Sequence, residues 1–115
     1  MTVLRFGRIM PVHGAILSLI GWRLSPPAAE LPEQEQERLA EMRRGHAELG
    51  RTTGHDFGYD LSAWRGFLLL NAAQFGYRHP YGFASVDRVA RAAMADLDFL
   101  RLSVVATSEV EATGR

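Results

Sequence analysis

Two Phe-Gly-Tyr triplets, Phe57-Gly58-Tyr59 and Phe75-Gly76-Tyr77, stand eighteen residues apart and bracket a strongly apolar stretch of the chain. Asp60 follows the first triplet and is placed to accept hydrogen bonds from the free amides of a helix's first turn. Leu61, Trp64, Phe67 and Leu68 then recur at helical spacing, and Leu69 and Leu70 widen the apolar arc until it nearly encircles the axis. A helix apolar most of the way round is a buried helix. The spacing therefore predicts a central buried helix over residues 61–74, about 20 Å long at 1.5 Å per residue. Gly76 is the left-handed cap beyond it. Gly66 inside it implies the close approach of another helix.

The flanking segments read as helices too. Ile9–Leu24 is apolar but holds Pro11, His13, Gly14 and Gly21, so it is too short and too interrupted for a membrane span. Arg5, Arg8 and that run loosely fit a signal peptide ending near Pro26–Ala29, a pattern that Pro11 and His13 oppose. The expectation is a buried first helix near Val12–Trp22, ended by Ser25-Pro26-Pro27. Pro32 suits the first turn of a second helix, whose early glutamates and later arginines complement the helix dipole and which Gly50 ends. Its apolar seam is narrow: Leu39, Met42 and Leu49, with His46 alongside. Ser85 is placed to cap a fourth helix. From there Val86, Ala90, Ala93, Leu97, Leu100 and Val104 step as one sustained seam, which reads as one long helix or as two nearly collinear ones broken at Asp96 and Asp98. Strand signals are sparse; only Ser103–Thr107 holds a short β-branched stretch.

The fold expected from this is all-α: one domain over residues 1–115, a bundle of four to five helices around the Trp64 helix, with 1–8 and 108–115 frayed. One domain is what 115 residues allow, and about two thirds of the chain's surface can be buried at that size.

Composition removes several function classes. Thirteen arginines, no lysine and thirteen acids leave a formal charge of zero, so nothing favours nucleic acid or an anionic membrane. Without cysteine there is no disulfide framework, thiolate zinc site or Cys nucleophile. No HExxH, P-loop, GxGxxG or Gly-x-Ser-x-Gly elbow occurs. No cofactor and no metal is expected, and a cytoplasmic location is.

Two constellations remain. Phe75, Tyr77, Arg78, His79, Tyr81 and Phe83 place aromatic anchors beside an arginine, a composition enriched at protein interfaces. The competing reading is that these rings cover the ends of a small core. His55, Asp56 and His79 are the candidates for acid–base or metal chemistry. A straight central helix holds their two loops at opposite ends, too far apart for one metal with ligand bonds of about 2 Å. The first expectation is thus a small non-enzymatic protein-interaction module, such as a bacterial adaptor or immunity-type protein, contacting its partner through the Phe75–Phe83 loop. The second is a small enzyme or metal-dependent protein using His55, Asp56 and His79. A homodimer through the narrow seam of the second helix is a third expectation.

Overall fold

The computed structural model describes residues 2–113, with side chains from residue 3 to residue 108. The described residues form six helices and three short strands. In chain order these are β1 (Thr2–Arg5), α1 (Pro11–Ile20), β2 (Arg23–Ser25), β3 (Ala28–Leu31), α2 (Glu35–Thr53), α3 (Leu61–Leu70), α4 (Ala72–Phe75), α5 (Phe83–Ala93) and α6 (Leu97–Thr113).

The protein is mostly helical but not all-α. An antiparallel sheet of order β1-β3-β2 pairs Leu4 and Leu24 on either side of Ala29. Residues 2–5, expected to fray, are paired in β1. Pro26 and Pro27, joined by a cis bond, make the β2–β3 turn rather than ending the first helix. These strands are three or four residues long, and Ala-Ala-Glu-Leu carries little strand propensity. Tertiary packing decides their state, with Ala29 sealed beneath the sheet. The β-branched Ser103–Thr107 stretch lies inside α6, where neighbouring turns set the conformation. The helix of α6 continues to Thr113, through most of the tail expected to fray; residues 114 and 115 of that tail lie outside the described residues.

The centre of the fold is α1, not α3. Every residue of α1 after Pro11 is buried, and the helix packs on both α2 and α5. It ends at Gly21, whose left-handed φ of 112° accompanies amide bonds to the Leu17 and Ser18 carbonyls. Beyond that end lies Arg38, a buried arginine whose Nε and Nη2 donate to the Ile20 carbonyl at 3.3 and 3.2 Å. Burial lowers the Arg38 pKa from its usual value, yet an arginine stays charged in proteins. A cation at a helix C-terminus is stabilised by the dipole, so one side chain ties α2 to the end of α1.

Only Leu61, Trp64 and Leu68 of α3 are buried, while Ser62, Gly66 and Leu70 face outward. The helix is amphipathic and lies on the surface. It stops at Asn71, whose side chain donates to the Phe67 carbonyl, and a single turn, α4, follows. Gly66 has open space where a close helix crossing was expected. The close crossing is at Gly45 on α2, against the backbone of Ser18 and Leu19.

The remaining boundary expectations hold in part. Asp60 accepts from the Ala63 amide and caps α3. Gly58 and Gly76 both adopt left-handed φ angles, so the two aromatic triplets are matching turns. The second helix departs from expectation at both ends: it starts at Glu35, past Pro32, and runs through Gly50 to a left-handed cap at Gly54. Ser85 does not cap α5: the N-cap is Gly82, and the Ser85 hydroxyl, inside the first turn, donates to the Gly82 carbonyl rather than accepting a free amide. The break between α5 and α6 falls at Asp96, whose carboxylate accepts from the Asp98 amide.

Candidate interaction surface

The Phe75–Phe83 loop splits into a core part and a surface part. Tyr77 is fully buried, and its hydroxyl donates to Asp87 at 2.8 Å. Arg65 clasps the same carboxylate through Nε and Nη2 at 2.7 and 3.0 Å, and Arg91 approaches it at 3.2 Å. The Arg65 guanidinium holds the Asp87 carboxyl below its usual pKa, while burial pushes the Tyr77 phenol well above its own. Phe83 meets the Tyr77 ring edge-on at 5.7 Å, and Phe75 is half-buried against Phe67. Tyr77 is therefore a core residue. Of the loop's rings only Tyr81 is exposed, at 50%, and Arg8 lies against its face. Arg78 is exposed but lies over Phe83.

His13, from α1, explains how this loop is held. Its Nδ1 accepts the Met10 amide at 3.0 Å, and its Nε2 lies 2.6 Å from the Tyr77 carbonyl. An amide can only donate, so Nδ1 is the acceptor and Nε2–H donates to Tyr77. Burial lowers the His13 pKa and keeps the ring neutral.

His55, Asp56 and His79 each engage different neighbours. The His55 ring packs on Phe57 and Phe67. Asp56 bonds His46 on α2 at 2.7 Å and also accepts from the Gly58 amide, which lowers its pKa. His79 packs on Tyr81 and accepts that residue's amide. No group of three metal-capable side chains occurs among the described residues. The seam of α2 is also spent: Leu39, Met42 and Leu49 are buried and unavailable to a second copy.

The exposed apolar surface is elsewhere. The seam expected to run from Val86 to Val104 divides at the Asp96 break. Val86, Ala90 and Ala93 are buried, whereas Leu97, Leu100 and Val104 are 80%, 43% and 67% exposed. A second set on α6, Phe99, Leu102 and Ala106, turns inward. Both sets step by three and then four, so α6 carries two apolar faces, and only one can be covered by the helix it packs on, α2. Phe99 was the available signal: an aromatic ring just after the break takes the core position and rotates the earlier seam outward.

Leu100 and Val104 border a groove of about 900 Å³ between α6 and the start of α3. Phe57, Leu61, Met94 and Phe99 supply apolar wall; Ser62, Ser103 and Thr107 supply hydroxyls; Asp60 is the one ionised side chain among the described lining residues. Comparison with protein-family models, with characterised proteins and with solved structures finds no match. Among the described residues no helix is long and apolar enough to cross a membrane.

Proposed function

We propose that this protein is a small non-enzymatic interaction module that holds one amphipathic helix of a partner protein in the α3–α6 groove. The observation that carries the reading is the outward stripe of Leu97, Leu100 and Val104. Single exposed leucines need no explanation, but three on one helix face beside a groove form a patch of the kind that marks contact sites. Helix-in-groove recognition uses apolar anchors at the same three-and-four spacing.

Charge selects the occupant. With Asp60 as the groove's ionised side chain and no cation among its described lining residues, the best-fitted helix carries a lysine or arginine beside its apolar anchors. A second copy docked groove to groove would bring another Asp60 and, from its own described lining, no cation. A bacterial adaptor role and an immunity-type role are both forms of this reading. The alternative, chemistry by His55, Asp56 and His79, has less support because each is occupied by a different neighbour.

The test is a displayed library of amphipathic helical peptides with lysine or glutamate at the flanks. Enrichment of lysine-flanked peptides is expected, lost on Leu97→Ser with Val104→Ser and weakened by Asp60→Asn, which keeps the helix cap. Equal enrichment of both flanks, or a dimer in solution that the two serines dissolve, would overturn it.

A further inference from the structure

We propose that a second cavity, between α1, β2 and α2, is a receptor site for a free primary alkylammonium ion. Its volume is about 410 Å³, within the range of small-molecule sites. Ile9, Met10, Ala15 and Leu24 form an apolar wall. Gly14 lets Leu24 pack closely on α1, since a Cβ there would lie 3.0 Å from the Leu24 Cδ1 atom.

Glu41 lies at the α2 side of this cavity, and its side chain is only 7% exposed. Among the described residues no sealed side-chain oxygen lacks a partner, so the Glu41 carboxylate oxygens are still reached by solvent and are open to an incoming cation. The pairing here is poor. Arg44 approaches to 3.6 Å, beyond hydrogen-bond distance, and its own side chain is 76% exposed. Among the described residues no hydrogen bond to the Glu41 carboxylate is found. Glu48, also on the lining, is already paired with Arg51.

An alkylammonium ion satisfies both halves of the site. Its charge pairs with Glu41, displacing a loosely held and solvated Arg44, and its stem lies on the apolar wall. The Ser18 hydroxyl, on the same lining, is an acceptor for a second ammonium proton. A bare metal ion fits less well, because the described residues gather no group of three ligands.

The probe is n-hexylammonium chloride, with n-hexanol as its neutral counterpart, followed by amide NMR shifts at neutral pH up to about 10 mM. Saturable shifts within residues 9–18 and 41–48 are expected, with hexanol binding at least about tenfold more weakly. Glu41→Gln should remove that preference. Arg44→Ala takes away the competing cation from an exposed position where folding is not at stake, and it should tighten binding several-fold. The absence of saturable shifts, equal binding of amine and alcohol, or weaker binding in Arg44→Ala overturns the proposal.

Discussion

Gly45 on α2 and Leu19 on α1 meet backbone to backbone: a Cβ at Gly45 would stand 2.1 Å from the Leu19 amide nitrogen. The two main helices of the core are in contact there with no side chain between them.

Gly45→Ala must therefore push α2 off α1, and it should cost about 3 kcal/mol or more. Gly66→Ala meets nothing within 4 Å on the exposed face of α3 and should stabilise by about 0.5–1 kcal/mol. Urea unfolding of the two variants checks the contrast.

The buried cluster at Asp87 sets the acid limit of stability. Its carboxyl pKa is depressed in the folded state, first by the Arg65 hydrogen bond. Its contribution is complete above the unfolded carboxylate pKa of about 3.9 and is lost as the pH falls through the lower folded value. Asp87→Asn should cost about 3 kcal/mol at neutral pH and flatten the stability curve below about pH 4. Tyr81→Ala, at an exposed ring, should change stability by no more than about 0.5 kcal/mol. Denaturant titrations across pH measure all three effects.

His13 acts in a separate window. Its folded pKa lies below the unfolded value of about 6.5 because burial penalises the imidazolium. The unfolded chain then binds the extra proton first, so stability should fall as pH drops below about 6.5 and be fully present above it. His13→Gln should remove that slope. Nitrogen-15 shifts of the wild-type ring should report the Nε2–H tautomer at neutral pH.

Local signals in the sequence located much of the helical framework, and tertiary ones were harder to read. Asp60, Gly58, Gly76 and Asp96 mark boundaries because caps and turns depend on nearest neighbours. The sheet escaped because Ala28–Leu31 becomes a strand only through its partners on both sides. The central helix was misassigned for a related reason. Gly14, Gly21 and His13 look like interruptions in α1, yet each is satisfied by a distant group: Leu24, Arg38 and the Tyr77 carbonyl. Composition likewise placed Tyr77 at an interface, while its Asp87 partner, ten residues on, draws it inside. The α6 stripe was visible as apolar residues, but not which of two equally spaced faces would be covered.

The Leu97→Ser, Val104→Ser double variant bears on that stripe without assuming a partner's identity. Its urea midpoint should match wild type, with a stability change within about 0.5 kcal/mol, while binding of a lysine-flanked amphipathic helix is lost. A loss of about 2 kcal/mol or more would place these side chains in the core and contradict their role as a contact face.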